Sequence, residues 1–330
     1  MALPVSQVLQ EWIIGKTQSI PAPLSVSRIA AIDRLRILAV IGIVWFHAEE
    51  APYRLISYTG LPVFLLIFFS LVVKRGCADT TTHFLKRRWD RLMMPWLFWC
   101  VLYALCKLAK AACIMDLSSL YGLFSVKTLV VGTNPHLWYL PFAFLSGILV
   151  HVLNGRTLRV NNTMVIVTAT IVGVFALVPH AIGISGPPLT EPLPQWRFGL
   201  AAIPLGFAVG RCLLMPSGET QRMLLSVVSA ITVGGCVVLY SLGFASPAVP
   251  YGLAMLLVCL AYGWQAKDRV FFSAAAPLTF GIYLIHPLVA YGLKQLVVPS
   301  QHFVAFVALT VCISGLLTLS LVNTRLRRFV

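Results

Sequence analysis

The sequence predicts an all-α, polytopic integral membrane protein, and three observations carry that prediction. Hydrophobic residues make up 59% of the 330-residue chain and charged residues 11%, with a mean hydropathy of +0.88; soluble domains run at roughly 45–50% and ~25%. Apolar runs close to the ~20 residues that cross a bilayer as a helix recur from one end to the other. Lysine and arginine concentrate in alternate connections between those runs, as the positive-inside rule requires of a multi-pass topology.

About ten spans are expected, near residues 35–52, 57–75, 92–112, 136–153, 163–181, 197–215, 222–243, 248–265, 275–296 and 303–323, with both termini cytoplasmic. The inner connections then hold KRG and FLKRRWDR, NGRTLR, GRCLLMPSGETQR, QAKDR and the terminal RLRR. With the N-terminal segment, that arrangement puts 19 of the 25 Lys and Arg inside and six outside: Arg54, Lys107, Lys110, Lys127, Arg197 and Lys294. The formal net charge of +15 is therefore a matter of topology and anionic-lipid contact, and no nucleic-acid partner is needed to explain it. Residues 1–27 lack the basic n-region and apolar core of a cleavable signal. Their stretch PVSQVLQEWIIGK suits either a short interfacial helix, with Val5, Val8, Leu9, Trp12 and Ile13 at helical spacing, or a loosely held tail. Residues 28–330 form the membrane domain. The eight cysteines show no CxxC or metal-type spacing and read as packing residues, with no metal expected. The longest outer loop, HAIGISGPPLTEPLPQW, is rich in proline and glycine and reads as an irregular cap.

Ionisable groups within membrane helices are rare and costly, so each is a functional hypothesis. In the first span, AIDRLRILAVIGIVWFHAEE, Arg36 and His47 are eleven residues apart. That is about three turns, so they share a stripe ~16 Å long. Asp33 and Glu50 extend the stripe at its two ends. A positive-inside anchor explains Arg36 alone and a packing histidine explains His47 alone; the pair on one stripe favours function. A second cluster, FLKRRWDRLMMPW, places Arg88 and Arg91 at i, i+3 beside Arg87 and Lys86, and guanidinium forks suit phosphate. NPHLWYLPF opens the fourth span with Asn134, His136, Trp138 and Tyr139, where an aromatic belt is also expected. FGIYLIHPL puts Tyr283 and His286 at a depth compatible with His47.

These stretches, in this order, resemble the integral-membrane acyltransferase-3 family, whose members O-acylate bacterial surface glycans. The resemblance rests on IDRLRILAVIGIVWFHA (arginine, ten residues, histidine), GLPVFLLIFFS, the R-x-x-R of FLKRRWDRLMMPW, HLWYLPF and FGIYLIHPL, and it runs from about Asp33 to the last span. Two positions depart from it: Arg34 stands where glycine is common, and LVVKR follows FFS where small residues are usual. The resemblance implies a bacterial inner-membrane, ten-helix acyltransferase that moves an acyl group from cytoplasmic acyl-CoA to an acceptor outside. By match, His47 is its catalytic histidine, Arg36 belongs to the same motif, and Arg88 and Arg91 are its important arginines.

Together these readings give one arrangement. Arg36, Arg88 and Arg91 hold the phosphates of acetyl-CoA or another acyl-CoA, and His47 takes the proton of a glycan or lipid-linked sugar hydroxyl. Glu50 orients His47, with Glu49 on another face. Trp138, Tyr139, Tyr283 and His286 line the substrate, and the last three are candidate oxyanion donors. Membrane lipids and a glycan-synthesis complex are the other expected partners. The rival readings are a transporter or flippase for an anionic substrate or lipid-linked sugar, which would not need coenzyme A, and a non-catalytic scaffold.

Overall fold

In the computed structural model of the chain, the residues described are 29–48, 51–76, 80–115, 125–182, 191–216, 218–263 and 270–330. Among them there is no strand. The principal helices are α1 (Ala30–His47), α2 (Gly60–Gly76), α3 (Thr81–Arg88), α4 (Met94–Ile114), α5 (Tyr139–Arg156), α6 (Asn162–Phe175), α7 (Leu193–Leu200), α8 (Ala202–Cys212), α9 (Glu219–Ser241), α10 (Ala245–Gly263), α11 (Thr279–Leu293) and α12 (Phe303–Val322). Eight helical stretches are long and apolar enough to cross a membrane. The protein is thus an all-α, multi-pass membrane protein. The N-terminal stretch PVSQVLQEWIIGK and the loop QAKDR lie outside the described residues, as do Glu49 and Glu50.

α2 is the centre of the bundle. Leu65, Leu66, Phe69, Val72 and Val73 on it are fully buried, and it packs against α1, α5, α8 and α10. The sequence reason lies on α8, where GFAVG sets Gly206 and Gly210 one turn apart. A Cβ on Gly206 would stand 2.7 Å from the Phe69 Cβ, and one on Gly210 would stand 2.5 Å from the Val73 Cβ and 2.9 Å from the Ser70 carbonyl oxygen. Only the missing side chains let the two backbones approach, the usual device where lipid gives helices no hydrophobic reason to associate. Gly210→Leu is expected to destabilise the protein by about 3 kcal/mol or more, because the obstacle is partly backbone and cannot rotate away. Thermal melting in detergent checks this, and an unchanged melting temperature would refute it.

α4 shows the opposite surface. Its Leu97, Val101, Leu105 and Leu108 are exposed at helical spacing, a stripe that would be a liability in water and is the lipid face here.

Two boundaries differ from expectation for identifiable reasons. The sixth span divides into α7 and α8, since Pro204 has no N–H for the Leu200 carbonyl and the helix breaks there. The third span does not begin at residue 92. It is the end of a longer helical stretch, α3 and α4, joined through a π-helical turn at Trp89–Met93.

At the arginine-bearing end, Arg211 is buried and donates to Asn154 Oδ1 and the Thr157 carbonyl, each at 3.2 Å. Asn154 in turn donates to the Val73 carbonyl at 3.3 Å. This ties the ends of α2, α5 and α8 together. The C-terminal segment closes the same end: Phe329 stacks on Phe98 at 4.4 Å, and its carbonyl accepts from Trp99 Nε1 at 2.9 Å.

Candidate active site

Three histidines from distant parts of the chain meet at one end of the bundle. His47 is the last residue of α1, His286 lies within α11, and His136 sits in the short 3-10 turn Pro135–Trp138 that leads into α5. The ring centroids of His47 and His286 are 5.4 Å apart, and those of His136 and His286 are 5.8 Å apart. His136 and His286 are buried, whereas His47 is exposed. Tyr283 packs between them, 5.6 Å from His136 and 6.1 Å from His286, and its hydroxyl donates to the His136 carbonyl. Among the described residues, no three His, Cys, Asp or Glu side chains are grouped to hold a metal ion.

The motif HPL sets the chemistry of His286. Pro287 has no N–H, so the carbonyl of Tyr283, four residues earlier, loses its helical donor. His286 Nδ1 takes that place at 2.8 Å. A carbonyl only accepts, so Nδ1 carries the proton and Nε2 the lone pair. That Nε2 is buried without a hydrogen-bond partner. His136 Nδ1 lies 3.0 Å from Asn134 Oδ1. A buried acceptor without a donor, as at His286 Nε2, is costly unless a substrate group supplies the hydrogen bond.

The arginines gather toward the opposite end. Arg36 pairs with buried Asp33 at 3.8 Å, one turn apart as their spacing on α1 predicts. The Arg88 guanidinium sits over Phe68 at 4.8 Å and over Phe84 at 5.2 Å, and Phe84 itself stacks on His151 at 4.2 Å. Arg88 is half-buried, its Nε lacks a partner, and Arg75, Arg87 and Arg91 lie within electrostatic reach. A crowd of cations round an unpartnered N–H fits the phosphates of an anionic donor. Arg91 falls within the π-helical turn and is exposed.

Tyr139 links the two groups. Its ring lies 5.5 Å from Tyr283, and Arg36 and Arg88 both lie within electrostatic reach of its hydroxyl. Of the expected oxyanion donors, Tyr283 has its proton committed to the His136 carbonyl and neutral His286 presents a lone pair; Tyr139 makes no side-chain hydrogen bond among the described residues. Trp138 packs on Phe142 at 5.6 Å and on Tyr139 at 6.3 Å.

Three residues of this site had no role in the sequence reading. His136 was singled out within NPHLWYLPF but given no part in the site, because its depth depends on the 3-10 turn. Tyr103, whose hydroxyl donates to the Leu284 carbonyl at 2.8 Å and whose ring lies 5.2 Å from His136, carries no signal within an apolar run. Arg54, within electrostatic reach of His47, did carry one: in the expected topology it falls outside, where the positive-inside rule gives no reason for a cation.

A partly buried imidazole cluster, linked through Tyr283 to a tyrosine within reach of an arginine cluster inside a multi-helix membrane bundle, is the anatomy of a membrane-embedded group-transfer enzyme. The chain belongs to the acyltransferase-3 family: the family model described as "Acyltransferase domain" matches residues 29–319. It is an acyltransferase and so takes an acyl donor. No curated protein and no solved structure matches the chain.

Proposed function

We propose that the protein is an O-acyltransferase of the bacterial inner membrane, moving an acetyl group from cytoplasmic acetyl-CoA to a hydroxyl of a surface or periplasmic glycan, or of its lipid-linked precursor. The observation that carries this reading is the run of ring contacts from Tyr139 through Tyr283 and His136 to His286 and His47, with the Arg36 and Arg88 charges within electrostatic reach of the Tyr139 hydroxyl. It connects a phosphate-compatible end with an imidazole-bearing end, as a donor and an acceptor on opposite sides of a membrane require.

In this reading both termini lie on the arginine side, and residues 28–330 form the transferase domain. Arg36, Arg88 and Arg91 bind the phosphates of the coenzyme, and the thioester reaches the histidines. The acceptor hydroxyl attacks the thioester carbonyl while His47 takes its proton. When the tetrahedral adduct collapses, the C–S bond breaks and the coenzyme A thiolate leaves with that proton. Tyr139 supplies a donor to the developing oxyanion. His286 Nε2, beside the His47 ring, is placed to accept an N–H from it and hold its orientation, a task the sequence suggested for Glu50.

Saturable binding of acetyl-CoA to the purified, detergent-solubilised protein tests the donor half. Arg88→Ala is expected to weaken binding by about tenfold or more, the cost of losing a charge-assisted phosphate contact, with Arg91→Ala less severe because its side chain is exposed. If well-folded wild-type protein binds neither acetyl-CoA nor succinyl-CoA, the donor assignment is wrong.

A further inference from the structure

Beside His47 lies a cavity, about 500 Å³ in volume, within the ~300–1,000 Å³ range of small-molecule sites. It is walled by Phe46, Arg54, Tyr58, His180, Gln195 and Phe198. These come from the end of α1, the short helix Arg54–Ser57 and the residue after it, the short helix Val178–Ile182, and α7. None of the substrate-binding residues expected from the sequence lies on it. It adjoins the catalytic histidine: the Phe46 ring is 5.3 Å from that of His47, and Arg54 lies within electrostatic reach of both His47 and the cavity.

Its walls are of two kinds. One is a continuous aromatic platform, with Phe46 stacked on Tyr58 at 4.4 Å, Tyr58 against Phe198 at 4.7 Å, and Phe198 against His180 at 5.1 Å. The other is polar and under-used. Gln195 and His180 line the cavity, and Gln195 Oε1 and His180 Nδ1 have no hydrogen-bond partner. Arg54 is held ready. Its Nε donates to the Phe46 carbonyl at 3.2 Å and its guanidinium lies over the Phe46 ring at 5.0 Å, so its outer nitrogens remain for a ligand.

Among the described residues the charge on the wall is one-sided. No acidic side chain is on the wall among the described residues. Arg197 lies within electrostatic reach of His180, and Lys294 within reach of His47. Topology gives no reason for cations on this side. Yet three of the six that fall there, Arg54, Arg197 and Lys294, flank this cavity and its neighbouring histidine.

We infer that this cavity binds the acyl acceptor, and that the acceptor is a pyranose ring bearing an acidic group, a carboxylate or a phosphate. The inference rests on the O-acyltransferase reading and names the substrate class of the same site. The aromatic platform takes the apolar face of the ring, Gln195 and His180 its hydroxyls, and Arg54 its anion. One ring hydroxyl then points past Phe46 to His47.

Saturation-transfer NMR on the protein in phosphatidylcholine nanodiscs tests this, with methyl β-glucuronide, glucose 6-phosphate and neutral methyl β-glucoside as probes. At least one acidic probe is expected to bind saturably and about tenfold more tightly than the glucoside, with Arg54→Gln removing that preference and Gln195→Ala weakening the acidic probe about tenfold. Acetyl-CoA binding, measured on the same preparations, is expected to be unchanged in both variants. Equal binding of all three sugars, no binding of either acidic sugar, or indifference to both substitutions would overturn the inference. So would loss of sugar binding when phosphatidylglycerol replaces phosphatidylcholine, since the cavity would then be a lipid-headgroup site. Failure of wild type to bind acetyl-CoA would instead count against the transferase reading, so the two failures are distinguishable.

Discussion

His47→Gln is expected to lower acyl transfer by about 10²–10⁴-fold, the range for loss of a general base, and to leave acetyl-CoA binding within about twofold of wild type. The split reflects placement. His47 closes α1 at the histidine end, whereas Arg36, Arg88 and Arg91 lie toward the other end of the bundle. The variant is expected to fold normally, because His47 is exposed, makes no side-chain hydrogen bond among the described residues, and touches its neighbours through ring contacts alone. Glutamine keeps a polar tip of similar reach without a base. A single-turnover assay with radiolabelled acetyl-CoA measures transfer, and equilibrium dialysis measures binding. Wild-type transfer by His47→Gln would shift the role of base to His286, whose Nε2 lone pair is the next nearest.

Pro287→Ala is expected to produce a protein that is more stable and less active. Alanine restores an N–H at position 287, and the natural acceptor for it is the Tyr283 carbonyl now held by His286 Nδ1. The helix regains its missing bond, worth up to about 3 kcal/mol where proline strains a helix interior. His286 meanwhile loses the contact that fixes its tautomer and ring angle. Removing a partner of this kind from a functional imidazole costs about 10–100-fold where the effect has been measured at metal sites, and a loss of that order in kcat is expected here. The paired readout separates this account from damage to folding, which would lower melting temperature and activity together. A fall in both would refute it.

Fold class was legible because lipid imposes a crude rule. Every span must be apolar and about as long as the bilayer is thick, and each of the α2, α9, α10 and α12 sequences states this openly. What escaped were departures from regular helix. The break at Leu200–Ala202 could have been read from Pro204, while the π-helical turn at Trp89–Met93 has no local signature, since WDRLM is as content in an α-helix. The site divides along the same line. Arg36 and Asp33 were legible because both sit on one helix, where spacing dictates contact. The meeting of His47, His136 and His286 depends on how α1, α5 and α11 pack, and separations of 89 and 239 positions along the chain hold no trace of it. Arg54 is the instructive case: the rule that accounts for most of the cations singled it out as an exception, and exceptions to a strong rule are where a second purpose shows.

The π-helical turn between α3 and α4 also makes helix type itself a determinant of the site. A π-turn winds more widely than an α-turn, so it absorbs one extra residue while α3 and α4 keep nearly the phase of a continuous α-helix one residue shorter. The exposed stripe of Leu97, Val101, Leu105 and Leu108 stays against lipid while Arg88 keeps its heading onto Phe68 and Phe84. Winding all five residues of Trp89–Met93 as ordinary α-helix would swing Arg88 by ~100° about the axis, and deleting one of them as the turn closes would bring it back. In this stretch an alignment gap of one position is taken up by the type of helix and leaves the arginine where it was.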